Sequence, residues 1–377
     1  MGSSFVIDDR LITESMDNGV CVTDLDRRIV YWNEAAERIT NWRSKDIVGY
    51  SCFAGVFCPT DKNNRSLCTP ELCPLQRAMT TGLGSECPLL FIKTKDRRRI
   101  PVQATFAPLR RNKWEIIGGV QVFRDISQAY QELANACAIQ TVALQHELPQ
   151  DTRVKFTTQY FPQDLVGGDY YAIEQLSADQ YCFLLADVMG HGLAASLYTM
   201  YLRGLWDRYH PLLTSPASFA RRMNHELNQL FRPGESFAAG VCGMVDLARR
   251  EAAFTGAGNP PVLWIHANGK YELLSGAGVP LGVMEDAPYD EARMRIRSGD
   301  RFLLVSDGVV EVADGDHRPL GVEGLIGVLK RLGYPGSGVE VSAIREELLR
   351  YSKTAVQEDD QTVIEIRFPS GKEKGVG

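Results

Sequence analysis

The sequence predicts an α+β protein in two parts joined by a helix, and three observations carry that prediction. The first third reads as a strand pair, short helices and then three antiparallel strands. Ser127 to Leu148 contains no Gly or Pro and is rich in Ala, Gln, Glu and Leu, as a helix would be. The rest of the chain delivers aspartates at the ends of apolar runs, most clearly Leu184-Leu185-Ala186-Asp187 and Leu303-Leu304-Val305-Ser306-Asp307. The domain boundaries that follow are 1–125, a helical linker at 126–149, 150–370, and a tail at 371–377.

The 377 residues favour two domains or more, and 44% hydrophobic with 23% charged residues are globular values. A formal net charge of -6 argues against nucleic acid as the partner. The densest basic run, Arg97-Arg98-Arg99, reads as a solvated hairpin tip. No apolar stretch is long enough to span a bilayer, and the N-terminus lacks a signal-peptide pattern. The expectation is a cytoplasmic protein with no membrane partner. Its nine cysteines are then expected to be reduced.

Along the first third, Asn18–Asp24 and Arg28–Trp32 form a hairpin, and Asn33 caps a helix beginning Glu34-Ala35-Ala36. Strands resume at Leu89–Thr94, Ile100–Pro108 and Glu115–Phe123, ending in Arg124-Asp125-Ile126. The stretches "DNGVCVTDLDRRIVYWNEAAERITNWRSKDIVGYSCF" and "GGVQVFRDIS" resemble a PAS domain, a small sensory α/β module. PAS domains bind diverse ligands or none, so the resemblance names no signal.

One loop of this domain holds Cys52, Cys58, Cys68 and Cys73, with Cys87 a little beyond. Four thiols in a reduced compartment suit a soft metal, either Zn²⁺ or an iron–sulfur cluster. The spacing matches neither a paired Cys-x-x-Cys ribbon nor common ferredoxin runs. Plain packing and a reversible disulfide stand as the other two readings. Cys21, Cys137, Cys182 and Cys242 read as packing residues.

In the linker, Tyr130, Leu133, Cys137, Leu144 and Leu148 approximate a stripe that Gln140 interrupts. The stripe fits either a two-stranded coiled coil, hence a homodimer, or a helix packed on its own domain. Pro149 ends it.

Beyond the linker, strands are expected at Val154–Tyr160, after Asp169, at Tyr181–Ala186, Ser236–Asp246, Glu251–Thr255, Val262–Ile265, Arg301–Val305 and Thr362–Arg367. Helices are expected from Leu193 to about Arg208, and at Ser218–Phe231, Val322–Arg331 and Val339–Tyr351. Asp169, Asp187, Asp307 and the Asp359/Asp360 pair thus fall at strand or loop ends. Oxygen-only ligands suit Mg²⁺ or Mn²⁺. So many carboxylates exceed what one ion needs, and two ions sharing a bridging acid perform hydrolytic phosphate chemistry.

"VGGDYY", "ADVMGHGLAASL", "GAGNPP", "LLVSDGVVE" and "EDDQTVIEI", in this order, resemble the SpoIIE-type branch of the metal-dependent PPM serine/threonine phosphatases. The resemblance implies an αββα sandwich with two Mn²⁺ or Mg²⁺ at one end. It implies Asp187 as the bridging ligand assisted by the Val188 carbonyl. Gly168 and Asp169 flank the site, Asp307 and Asp359 complete it, and Asp360 ranks behind its neighbour. Asp169, Asp187, Asp307 and Asp359 are accordingly the catalytic candidates. Two departures stand out: Ala172 replaces a second aspartate of the first motif, and Met189 occupies the place of a histidine found in eukaryotic-type relatives. His191 reads as shaping the Gly-His-Gly turn.

The implied activity is signal-regulated hydrolysis of phosphoserine or phosphothreonine. The implied substrate is a phosphorylated STAS-domain anti-anti-sigma protein of a partner-switching pathway. The alternative is a catalytically silent PPM-fold binding module under a redox- or metal-sensing PAS domain.

Overall fold

A computed structural model describes residues 9–370, apart from 54, 56, 63, 70–71, 146, 164, 191, 233, 275–277, 337–339, 353–356 and 358. The tail at 371–377, Val339, Glu358 and His191 therefore lie outside the described residues. The chain divides into two compact units, Met1–Glu132 and Leu133–Gly377. Among the described residues no helix is long and apolar enough to cross a membrane.

The first unit begins with α1 (Asp9–Glu14) and the hairpin β1 (Gly19–Asp24) and β2 (Ile29–Trp32). Helices α2 (Glu34–Thr40), α3 (Ser44–Ile47) and α4 (Pro74–Thr81) follow, then β3 (Ser85–Lys93), β4 (Arg99–Arg110) and β5 (Ile116–Asp125). The antiparallel sheet runs β2-β1-β5-β4-β3, so the first and last strands of the sequence order lie side by side within it. Asn33 caps α2 as expected, accepting from the Ala36 amide at 2.9 Å. It also accepts from Val20 and donates to the Thr13 and Asn18 carbonyls, which knots the helix start to β1. The rings of Trp32, Phe57 and Phe123 pack 4.9–6.5 Å apart at the core. This is a PAS fold.

The linker helix α5 spans Ser127–Ala143, shorter than the expected Ser127 to Leu148. Leu144 packs against one core cluster of the second unit and Leu148 against another. One straight helix cannot present both, and Pro149 disfavours helical geometry at the residue before it.

In the second unit, β6 (Lys155–Phe161), β7 (Asp169–Ser177) and β8 (Gln180–Val188) lead into α6 (Leu193–Tyr209) and α7 (Pro216–Leu230). Next come β9 (Ala238–Asp246), β10 (Glu251–Ala257), β11 (Val262–Ile265), β12 (Tyr271–Leu274), β13 (Ala292–Arg295) and β14 (Arg301–Val305). The short α8 (Asp307–Val310), α9 (Gly321–Arg331), α10 (Ser342–Ser352) and β15 (Gln361–Arg367) complete it. Two antiparallel sheets form, β13-β10-β9-β8-β7 and β12-β11-β14-β15-β6.

Strand periodicity explains the layers. On β8, Tyr181, Phe183 and Leu185 face the other sheet, where they meet Phe302, Leu304 and Ile364, with Phe254 of their own sheet beside them. Cys182, Leu184, Ala186 and Val188 face the opposite way, onto α6 and α7. Leu303 and Val305 of β14 likewise face α9 and α10. Burial on both faces is why these strands read as continuous apolar runs rather than alternating ones. The result is the αββα sandwich. The sequence reading missed β13, whose Ala-Arg-Met-Arg at a sheet edge carries charge, as edge strands do.

Candidate active site

The same period of two that builds the core places the acids. Continuing the inward series Tyr181, Phe183, Leu185 along β8 puts Asp187 on the inter-sheet face, at the strand's end. Asp169 pairs directly with Asp187 across β7 and β8. From the facing sheet, Thr362 follows the inward series Ile366, Ile364 and donates to Asp169 Oδ2 at 2.5 Å. Asp307 starts α8 immediately after β14, and its carboxyl lies close enough to that of Asp187 to raise its pKa. Asp359, just before β15, lies close enough to feel the charge of Asp307. The structure thus brings Asp169, Asp187, Asp307 and Asp359 together at one end of the sandwich.

Their electrostatics are those of an acid cluster lacking a cation. Burial raises the pKa of Asp169, Asp187 and Asp359, with the charges of the neighbouring carboxylates adding to it. Among the described residues, no guanidinium or ammonium appears in the groups that chiefly act on them. Asp169 Oδ1 and Asp307 Oδ1 are buried without a hydrogen-bond partner. Buried carboxylate oxygens left unpaired cost free energy unless a cation compensates. This donor set therefore fits hard divalent ions. As the side chains stand, no three His, Cys, Asp or Glu groups among the described residues are closed into a metal cage.

The glycines do two different jobs. A Cβ on Gly308 would lie 2.1 Å from the Asp360 carbonyl, and one on Gly168 would lie 3.1 Å from the Val188 carbonyl. Both glycines let backbones approach the site. Gly190 and Gly192 have φ of 86° and 82° and face open space, so they serve the turn after Asp187.

Asp360, expected as a second-ranked metal ligand, is held by backbone amides in the structure. Its Oδ1 accepts from the Gln163 amide at 2.6 Å, and Oδ2 from the Gly168 and Asp169 amides at 2.5 and 3.3 Å. Both oxygens are engaged with backbone, which makes Asp360 the strut that holds the Gly-Gly-Asp loop against β15.

Sequence reasoning missed several supporting residues. Ser306 accepts from the Thr362 amide and donates to the Asp360 carbonyl, joining β14 to β15 beside the acids. Asn259, of the "GAGNPP" motif, donates to the Val305 carbonyl at 3.0 Å and fixes the strand end that delivers Asp307. Gln140 of α5 is buried and donates to the Gly167 carbonyl and Thr199 Oγ1 at 2.9 and 2.8 Å. The signal for it was the polar break in the linker stripe. Met189 is 47% exposed at the turn.

Comparison with known proteins agrees with this arrangement. The sequence profile of Stage II sporulation protein E (SpoIIE) matches residues 177–369, and that of the PAS fold matches residues 8–126. Asp169 lies just before the first of these matches. Phosphoserine phosphatase RsbP of Bacillus subtilis (strain 168) is 29% identical over 184 residues, 48% of this chain and 45% of its own. Phosphoserine phosphatase RsbU of the same organism is 23% identical over 193 residues, 51% of this chain and 57% of its own. The chain thus spans about half the length of these relatives. Among solved structures, the SiaA-PP2C domain of Pseudomonas aeruginosa superposes with a TM-score of 0.56 at 24% identity, covering 64% of this chain and 97% of that one. The PP2C phosphatase domain of Bacillus subtilis SpoIIE, with a fragment of its regulatory domain, gives 0.52 at 17% identity over 70% and 71%. These two likenesses establish the fold of the second unit. With a profile match over half its length, and the acids at the end of such a sandwich, the chain belongs to the SpoIIE family.

Proposed function

We propose that the chain is a metal-dependent protein serine/threonine phosphatase regulated through its PAS domain. The convergence of Asp169, Asp187, Asp307 and Asp359, with no Lys or Arg of the described residues acting on the three whose pKa is raised, carries the reading. When bound, two Mn²⁺ or Mg²⁺ ions supply water activation and a clamp on the phosphoryl oxygens. Asp187 would hold both, assisted by the Val188 carbonyl, with Asp169, Asp307 and Asp359 completing the set. Thr362 and Asp360 act through others as positioning residues: one fixes the Asp169 carboxylate, the other its backbone.

The substrate we propose is a phosphorylated STAS-domain protein of a partner-switching pathway. The names of RsbP and RsbU support a phosphoserine substrate. An apolar rim supports a folded protein as its carrier. Met189, Leu193 and Leu197 are 47%, 49% and 59% exposed along the turn after Asp187 and the first turns of α6.

The test is phosphate release by the purified full chain from p-nitrophenyl phosphate and from a phospho-STAS protein. Turnover of both is expected with Mn²⁺ and none with EDTA. Phosphoprotein binding without metal-dependent turnover of either would establish the silent binding module instead. Replacing Leu193 and Leu197 together by Glu should lower kcat/KM on the phosphoprotein about tenfold or more, the size of one or two interface anchors. Turnover of p-nitrophenyl phosphate should stay within about twofold. Equal losses on both substrates would show that these leucines support the fold and not docking.

We also propose a homodimer through α5, on a different face from the one the sequence suggested. The expected stripe is used within the chain. Tyr130 packs edge-on against Phe91, Cys137 donates to the Leu165 carbonyl, and Leu144 and Leu148 join core clusters. The other face leaves Ile139 61% and Val142 71% exposed, at the three-residue spacing of helix neighbours. Light scattering should give a dimer for the wild type and a monomer for Ile139→Glu with Val142→Glu. A dimer unchanged by that pair places the interface elsewhere.

A further inference from the structure

The PAS unit contains a second group of metal-ligating side chains, independent of the phosphatase reading. Residues 48–73, between α3 and α4, form no helix or strand among the described residues. They are tied down by isolated bridges at Ser51, Thr60 and Ser66. A segment of that length without regular structure calls for something to order it. It also carries all four of the cysteines singled out in the sequence.

The fold gathers them. Cys52 and Cys73 are 5% and 6% exposed and form part of the core wall, while Cys58 and Cys68 are half-buried beside them. The Cys58 and Cys68 thiols act strongly on each other, and Cys68 is within electrostatic reach of Cys52, Cys58 and Cys73. Cys52 is likewise within reach of Cys73 and Cys58. A cavity of about 10 Å³ lies among Cys52, Cys68, Cys73, Phe57 and Arg27.

Two cations face this group. The Arg27 guanidinium stacks on Phe53 at 4.3 Å, yet its Nη1 is buried without a hydrogen-bond acceptor. It acts on Cys52, and Lys93 acts on Cys58. Neutral packing thiols leave a buried guanidinium donor unsatisfied, whereas thiolate sulfur would accept from it.

We propose that Cys52, Cys58, Cys68 and Cys73 form a tetrathiolate site for a single Zn²⁺ in the PAS domain. One Zn²⁺ displaces four thiol protons and leaves a net charge of −2, which the Arg27 and Lys93 cations offset from outside the ligand sphere. A cavity that barely admits one water suits a lone ion better than a four-iron cluster. As the side chains stand, no three of the thiols are closed into a metal cage. Cys58 and Cys68 donate weakly to the Phe53 and Phe57 carbonyls at 3.5 and 3.8 Å. Closing on zinc would exchange those contacts for Zn–S bonds of about 2.3 Å and would pin residues 48–73 to the core.

The test is metal analysis of the full chain, expressed with zinc and purified under reducing, anaerobic conditions. About one zinc per chain is expected beyond any in the phosphatase site. Cys58→Ser and Cys68→Ser should each lose about one equivalent, while Cys87→Ser and Asp187→Asn keep it. If the serine variants do not fold, the wild type decides by itself. Zinc release on mercurial titration should consume four thiols per ion, and Co²⁺ exchange should give intense thiolate-to-cobalt charge-transfer bands. Zinc below about a tenth of an equivalent, iron with inorganic sulfide, or a resting Cys58–Cys68 disulfide would each overturn the proposal.

Discussion

Asp187→Asn should lower kcat/KM on any phosphomonoester by at least about 10³-fold while raising the thermal midpoint of the metal-free protein. The activity loss follows from its place. Asp187 is the acid that both Asp169 and Asp307 approach, one as its cross-strand partner and one by direct carboxyl–carboxyl repulsion. Metal ions contribute several kcal/mol to such reactions, and about 1.4 kcal/mol is a factor of ten in rate. The stability gain follows from the same geometry. An amide keeps the shape, removes one of the crowded charges, and can donate to Asp307. Relief of such functional strain commonly gains about 0.5–2 kcal/mol, and each kcal/mol moves the midpoint of a domain this size by about 2–4 °C. Scanning calorimetry in EDTA and Mn²⁺-dependent kinetics read both effects. Full activity in the variant would end the two-ion reading. A lowered metal-free midpoint would make Asp187 a structural residue instead of a strained one.

The acids were legible because sheet geometry is legible. A two-residue period continued past Phe183 and Leu185 has to put Asp187 on the inner face, and an aspartate that ends an apolar run sits at the end of its strand. The residues that hold the acids were not legible in the same way. Thr362 reads as one more β-branched strand residue, and its bond to Asp169 reaches across 193 positions of chain. Asp360 is indistinguishable in sequence from the acid beside it. Only its bonds to the amides of Gln163, Gly168 and Asp169 show that it braces a loop. The linker left two readings open for a related reason. An apolar stripe reports that a helix face is covered but not by what, and here Leu144 and Leu148 are covered by their own chain. Gln140, which broke the stripe, anchors α5 to the Gly167 carbonyl of the loop that delivers Asp169. Residues whose partners are distant backbone atoms leave no periodic trace.

Metal and pH should act on stability in opposite directions. In the metal-free protein, burial and mutual repulsion hold Asp169, Asp187 and Asp359 above the ordinary carboxylate range. A carboxyl whose pKa is higher folded than unfolded binds more protons in the native state. Stability then falls as pH rises, by up to about 1.4 kcal/mol per pH unit for each extra proton held. The fall begins near pH 4, where the unfolded carboxyls titrate, and continues upward through the raised native values. Bound Mn²⁺ reverses the sign at these groups, because it requires them deprotonated and its affinity grows with pH. Its stabilisation grows with the ratio of free metal to dissociation constant. Thermal midpoints measured from pH 5.5 to 8.5 should therefore diverge, falling in EDTA and holding or rising with Mn²⁺. Contributions from groups outside the site are common to both series and cancel in the difference. Asp187→Asn should shrink that difference at every pH. Parallel curves with and without metal would mean that the four carboxylates do not share a cation, and the phosphatase reading would lose its chemical basis.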